Sequence, residues 1–272
     1  MRRRERLADE VLKASGEEGE VFVTERRGHG RDLAGALAAR ARLVIAWGGD
    51  GTVNEVGSAL AFGPTPLGIV PAGSGNGLAL ELAVSLHPEN AIKDALGAAA
   101  RPIDVGEVDG RLFFNAAGIG FDAHIARCFD QEGSGRRGLL TYVRVTAREL
   151  LTYRARTYRV NGRVVRGALL ITFANSGQFG NGVRIAPAAS LDDGRLDLVV
   201  FEETSRVATL CGLPRLLRGK VDRVRGWSMV RVEEATIESD EAMVYHLDGE
   251  PVMGGPRLAA RVHPRALRVC VR

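Results

Sequence analysis

Long apolar runs are missing from this sequence: no stretch approaches the roughly 20 residues that a membrane-spanning helix needs. The start, Met1-Arg2-Arg3-Arg4-Glu5-Arg6, is basic and leads into a charged helix, not the apolar centre of a secretory signal. Cysteine is scarce. Cys128, Cys211 and Cys270 lie far apart, and none stands in a CxxC pair or in the His spacing of a zinc finger. That excludes a disulfide framework and leads us to expect a reduced, cytosolic protein with buried thiols. Lysine is confined to Lys13, Lys93 and Lys220, so arginine carries almost all of the positive charge. The resulting net charge of +4 and pI near 9.2 suit anionic partners without choosing among them, and a solvated Arg-rich surface accounts for most of the excess. Internal repeats and low-complexity segments are also absent, which argues against solenoids and disordered tails.

What is present is a globular composition, 45% hydrophobic and 26% charged over 272 residues, enough for two domains. Residues 6–100 alternate. Leu7, Val11 and Leu12 mark an amphipathic helix, Glu20-Val21-Phe22-Val23-Thr24 a strand, Arg31–Arg40 a helix and Arg42–Trp47 a buried strand. A helix over Thr52–Ala61, a strand over Leu67–Val70 and helices after Asn76 and Pro88 follow. Such alternation predicts a parallel sheet covered by helices. Beyond residue 101 strands dominate: 101–108, 111–117, 155–161, 165–174, 195–202, 228–238, 242–247 and 265–271. Turn signals at Asp109-Gly110, Asn161-Gly162 and Asp193-Gly194 separate several of them, and helical insertions fall near 136–153 and 204–218. The expected fold is α/β plus all-β: an N-terminal α/β domain over 1–104 and a mainly antiparallel β domain over 105–272, with a cleft between them.

The strongest chemical signal is Trp47-Gly48-Gly49-Asp50-Gly51-Thr52-Val53-Asn54-Glu55, where a buried strand passes through glycines into a helix. Glycines permit positive φ and close approach of phosphate oxygens to the backbone, and the helix start offers N–H groups to an anion, with Thr52 available to help cap it. Asp50 sits where a carboxylate can organise Mg²⁺ or a phosphoryl group. Taken alone, a GxG turn is more often structural than functional. The pattern recurs one strand later in Pro71-Ala72-Gly73-Ser74-Gly75-Asn76, with Ser74 offering a hydroxyl and Asn76 a helix cap. Two such loops at neighbouring strand ends make one phosphate cradle.

These residues resemble the diacylglycerol kinase catalytic-domain family, which includes bacterial lipid kinases and sphingosine kinases. The resemblance continues through Asn115–Ala123, Ser190–Asp197 and Asp248-Gly249-Glu250, in the family's order and over nearly the whole chain. It implies a three-layer α/β nucleotide-binding domain followed by a β-sandwich, with ATP and Mg²⁺ as cofactors. It implies nucleotide contacts at Thr24, at Gly48, Gly49, Asp50, Gly51, Thr52, Asn54 and Glu55, and at Gly73, Ser74, Gly75 and Asn76. Glu250 corresponds to the proton acceptor, with Asp248 expected to share the site and the two like charges to raise one pKa. Asp122 matches an acidic residue near the lipid head group, and Ser190, Asp193 and Arg195 match a structural Mg²⁺ loop. Arg136 and Arg137 read as a solvated helix start that can also meet phosphates.

Two departures stand out. Family members usually open with a strand carrying an Asn-Pro-small-Gly phosphate loop, whereas this chain starts in the helix that would follow. The expectation is an in-frame strand and loop upstream of Met1, or else a nucleotide site with one loop fewer. Gly77 stands where many bacterial members have Asp, which leaves the lipid open. The expected reaction is transfer of the ATP γ-phosphoryl group to a lipid hydroxyl, on diacylglycerol or a sphingoid base. The competing readings are an NAD kinase-like enzyme and an inactive nucleotide- or lipid-binding regulator. Expected partners are a lipid substrate and a peripheral membrane contact at the inner face, without nucleic acid, and a homodimer is left open.

Overall fold

The computed structural model describes residues 2–131, 139–178, 183–203, 205, 209, 215, 220–221 and 224–271. Arg136, Arg137, Cys211 and most of the helix expected over 204–218 lie outside the described residues. The chain divides into two compact units, Met1–Ile103 with Arg265–Arg272 and Asp104–Pro264.

The first unit runs α1 (Arg2–Ala14), α2 (His29–Ala38), β1 (Val44–Gly48), α3 (Asp50–Leu60), β2 (Leu67–Pro71), α4 (Gly77–Glu81) and α5 (Pro88–Gly97). β1 and β2 are parallel, with Val44 opposite Leu67 and Gly48 opposite Pro71. β2 is buried along its whole length, as a strand covered on both faces must be. A Cβ at Gly68 would lie 2.9 Å from that of Ala95, so α5 packs directly on β2. Val11 of α1 joins Val70, Ala91 and Ile92 in the same core. Pro88 opens α5, and Glu89 pairs with Lys93 one turn on at 2.7 Å.

One expected strand does not form. Residues 17–25 take neither helix nor strand form, and Val21 and Phe22 are 42% and 44% exposed. The β-branched and aromatic composition favours extension, but a strand is held by a ladder, and this segment joins none.

β3 (Ala100–Val108) leads into the second unit, followed by β4 (Arg111–Phe113), β5 (Ala116–Gly120), α6 (Phe121–Gln131), α7 (Leu139–Thr152), β6 (Arg156–Val160) and β7 (Arg163–Ala174). Then come β8 (Leu196–Glu202), β9 (Trp227–Val232), β10 (Glu234–Glu238), β11 (Val244–Leu247), β12 (Glu250–Met253) and β13 (Arg257–Cys270). The segments expected as single strands over 111–117 and 228–238 are each broken in two, while α6 and β12 had no expectation. β5 lies between β7 and β11, antiparallel to both. β7 also pairs with β6 and β8, β8 with β9, and β10 with β6 and β13. Two-residue hairpin loops with both residues at positive φ join β3 to β4 (Asp109, Gly110), β6 to β7 (Asn161, Gly162) and β11 to β12 (Asp248, Gly249). Asx-Gly pairs favour this turn.

Phe113, Ile119, Ile171, Phe173, Leu198 and Ile237 are among the side chains of its core, each burial stabilising by about 1.5–3 kcal/mol. A second cluster packs Phe121 and Ile125 of α6 against Val145 and Leu150 of α7, with Leu169 and Phe201 beneath. The end of β13 leaves this unit: Val269 pairs with Leu67 of β2, so residues 265–272, placed with the β-sandwich by the sequence reading, run in the first unit.

Candidate active site

Because Gly48 stands opposite Pro71, β1 and β2 end at one level and their loops emerge side by side. Ala72 N–H donates to Gly48 O at 2.8 Å. A Cβ on Gly73 would come within 2.6 Å of Gly49 Cα, and one on Gly49 within 3.0 Å of Gly73 Cα. The loops therefore touch backbone to backbone. Among the loop glycines 48, 49, 51, 73 and 75 none has positive φ, so the expected conformational role is corrected to one of close approach. The left-handed residue is Asn76 itself, at φ 50°.

The side chains complete the lock. Gly77 N–H, the first of α4, donates to Asp50 Oδ1 at 2.7 Å. Asn76 does not cap α4 as expected. Its amide bridges back to Gly73, accepting from Gly73 N–H at 2.8 Å and donating to Gly73 O at 2.9 Å. Thr52 fills the space beside Gly48, which has no room for a Cβ there, and the Ser58 hydroxyl donates to Asn54 Oδ1 at 3.4 Å. Ser74 is exposed at the loop tip. Gly49, the N-cap of α3, brings no side-chain cap, so an anion can approach the main chain of the first turn.

Glu55 has another task. Its carboxylate accepts Gly28 N–H at 2.6 Å and Gly30 N–H at 3.0 Å, which satisfies the start of α2. Gly30 is a close approach, since a Cβ there would lie 2.8 Å from Glu55 Oε2. The predicted nucleotide contact is thus a clamp between helices, favoured by the α2 dipole. Thr24 is exposed in the irregular segment before α2.

In the second unit, strand register gathers a buried polar group. Gly118 of β5 faces Thr172 of β7 on one side and His246 of β11 on the other. A Cβ at Gly118 would overlap the carboxylate of Asp122, which fills that space from the first turn of α6. Asp122 Oδ2 accepts the Thr172 hydroxyl at 2.7 Å and lies 3.4 Å from His246 Nε2, and Oδ1 accepts Ala123 N–H at 2.8 Å. Gly249 N–H donates to His246 Nδ1 at 3.2 Å, so Nε2 carries the ring proton and directs it at Asp122. Asp122 is buried and committed to these partners, a positioning group beneath the β11–β12 turn.

Asp248 was expected to share the site of Glu250. Its carboxylate instead accepts Phe114, Asn115 and Ala116 N–H at 3.0, 2.8 and 3.1 Å, pinning the turn where β4 gives way to β5. Three donors balance its charge, which makes it a clamp and not a second base. Glu250 follows the turn as the first residue of β12 and is exposed.

Within the Ser190–Arg195 loop, Ser190 Oγ donates to Asp192 at 2.6 Å and Arg195 N–H to Asp193 Oδ1 at 3.1 Å. Buried Asp104 accepts Gly194 N–H at 2.6 Å and so anchors the loop, a role no sequence signal marked. The oxygen donors Ser190, Asp193 and the Arg195 carbonyl suit a hard cation. Asp197, at the end of the motif, is buried. Burial pushes its carboxyl up, partly opposed by Arg231 3.7 Å away.

Residues 1–108 match the family described as "Diacylglycerol kinase catalytic domain" and residues 115–271 that described as "YegS C-terminal NAD kinase beta sandwich-like domain". The chain belongs to the diacylglycerol kinase family. A Pseudomonas aeruginosa PAO1 protein named "Probable lipid kinase YegS-like" is 33% identical, over 97% of this chain and 88% of its own. One of the same name from Pectobacterium atrosepticum is 31% identical, over 95% and 90%. Family membership makes the chain a lipid kinase at that level, α/β plus β-sandwich-like in fold. A crystal structure titled "putative diacylglycerol kinase" from Bacillus anthracis str. Sterne shares this fold, with TM-score 0.81 at 22% identity over 100% and 90% of the chains. An NAD kinase from Archaeoglobus fulgidus in complex with ATP shares it more loosely, with TM-score 0.52 at 13% identity over 97% and 88%.

Sequence reasoning missed the residues that support this kinase family's motifs: Asp104, Thr172 and His246. His246 had one readable signal, its place two residues before Asp248 on a strand. Thr172 is legible only through the register of β7.

Proposed function

We propose that this chain is an ATP-dependent lipid kinase that transfers the γ-phosphoryl group to the hydroxyl of a lipid such as diacylglycerol or a sphingoid base. The observation that carries the reading is the pair of glycine loops, touching backbone to backbone at adjacent parallel strand ends and locked by Asp50 on Gly77 N–H. Side-chain-free backbone and an uncapped helix start are what a phosphate chain requires. The lipid-kinase names of the relatives support the acceptor class, and the loosely similar NAD kinase in complex with ATP supports the nucleotide.

Gly48 to Asn54 and Gly73 to Asn76 hold the nucleotide, with Thr24 nearby in sequence to α2, while Glu55 ties α3 to the start of α2. ATP supplies the phosphoryl group and Mg²⁺ offsets its charge. Glu250 accepts the hydroxyl proton, while Asp248 and the Asp122–His246 pair hold its turn in place. Ser190, Asp193 and the Arg195 carbonyl hold a structural Mg²⁺. Work at a lipid acceptor brings the protein peripherally to the inner face of a membrane.

An ADP-release assay with mixed lipid vesicles, with NAD as control acceptor, tests the class. Lipid-dependent turnover is expected, lowered about 10²–10⁴-fold by Glu250→Ala with ATP affinity retained. Turnover on NAD alone would overturn the lipid assignment. Near wild-type turnover in Glu250→Ala would remove the base.

A further inference from the structure

α6 and α7 carry a second chemical cluster. His124 and Cys128 stand four residues apart on α6, hence on one face. Glu149 reaches them from α7: its Oε2 lies 2.9 Å from His124 Nε2, and Cys128 Sγ lies 3.7 Å from the same nitrogen. All three ligand atoms fall within 4.8 Å of one another, half-buried. The sequence reading took Cys128 for a buried thiol.

Imidazole nitrogen, thiolate sulfur and carboxylate oxygen are the donor types that bind zinc, and here one of each converges from two helices. We propose that His124, Cys128 and Glu149 form a binding site for a divalent transition-metal ion, zinc foremost, that ties α6 to α7.

The spacing fits: bonds of about 2.1 Å to N or O and about 2.3 Å to S at tetrahedral angles put ligand atoms about 3.4–3.6 Å apart. The Cys–His distance is already there, and the Cys–Glu pair lies within 4.8 Å. The His–Glu distance, a hydrogen-bond length, widens by about half an ångström as the ion enters. A mixed N, S, O set selects zinc over magnesium. Arg148 orients the carboxylate, its Nε and Nη2 donating to Glu149 Oε1 at 3.0 and 2.9 Å and leaving Oε2 to the ion. Phe121 and Tyr153 flank the imidazole, with ring centroids 6.4 and 5.3 Å away. Three protein ligands leave a fourth position for water.

The test titrates chelator-stripped full-length protein with Co²⁺. One equivalent should saturate a thiolate-to-cobalt charge-transfer band in the near ultraviolet, and Zn²⁺ should displace it. Cys128→Ser should abolish the band with the circular dichroism spectrum unchanged, and Arg148→Ala should keep it while weakening affinity about 10–100-fold. Should Cys128→Ser fail to fold, His124→Ala serves in its place, with at least about tenfold weaker binding expected. No saturable band in the wild type would overturn the proposal. So would a band that survives Cys128→Ser, because Cys211 or Cys270 would then supply the thiolate.

Discussion

Asp50 does two jobs that a single substitution can separate. Its Oδ1 accepts Gly77 N–H, which fixes the second loop against the first, and its negative charge stands where the phosphate site is proposed. Asp50→Asn keeps an acceptor oxygen for Gly77 and removes the charge. The expected outcome is a variant within about 1 kcal/mol of wild-type stability whose Mg²⁺-dependent turnover is lost. Asp50→Ala removes both and should cost about 1.5–3 kcal/mol as well, the worth of a hydrogen bond to a charged group. Chemical denaturation beside the ADP-release assay reads both quantities. Full activity in Asp50→Asn would reduce Asp50 to a structural tie. Glu55 warns how this happens: its motif position suggested nucleotide, and its carboxylate sits on Gly28 and Gly30.

Between elements, a charged polar tie joins β3 to β13. Glu107 accepts Arg261 Nε and Nη2 at 3.0 Å each, and His263 Nε2 lies 2.8 Å from it. Arg261 and His263 are two apart and so share a face of β13. Burial alone would push the Glu107 carboxyl up, but the bonds from Arg261 and His263 outweigh it and hold the group below the ordinary 4.5. A folded pKa below the unfolded one contributes stability that is complete above about 4.5 and lost as pH falls through the folded value. Glu107→Gln should therefore cost about 1–3 kcal/mol at pH 7, with the penalty fading in acid below that window. Melting temperatures of both proteins from pH 7 to pH 3 check it, and a pH-independent difference would refute the assignment. Glu107 carried no motif, and partners 154 and 156 residues away are invisible to local pattern. Elements defined by local chemistry were legible: the glycine loops after buried strands, Pro88 opening α5, the Asx-Gly hairpins. Strands over 101–108, 155–161, 165–174 and 195–202 were legible as well, but features set by a particular distant partner were not. The strand expected over 20–24 lacked a ladder, 111–117 broke where Asp248 takes the Phe114, Asn115 and Ala116 amides, and β12 exists because β11 turns back on it. The candidate site divides the same way, its glycines readable and its supports Asp104, Thr172 and His246 fixed by register.

At the scale of the whole molecule the question is how the chain reaches a lipid. No described helix is long and apolar enough to cross a bilayer. Exposed apolar side chains such as Phe62, Leu86 and Met253 lie scattered along the chain, which is ordinary for a protein surface. The charge is the remaining handle: a net +4 carried on arginine, each contributing about 1 kcal/mol when it sits close to an anionic leaflet. Arginines are weakly hydrated and bind phosphate bidentately, so a phospholipid surface suits them better than it suits lysine. Such attraction is screened over about 10 Å at 0.1 M salt and about 3 Å at 1 M. The protein should therefore co-sediment with phosphatidylserine-containing vesicles, bind neutral phosphatidylcholine vesicles far less, and lose the anionic binding as salt rises. Equal binding to both vesicle types, or binding indifferent to salt, would rule out electrostatic docking. Kinase turnover on detergent-dispersed lipid would be untouched by that result, because the glycine loops and Glu250 do not depend on how the acceptor is delivered. Turnover on vesicles that falls with salt in step with binding would show that delivery limits the reaction.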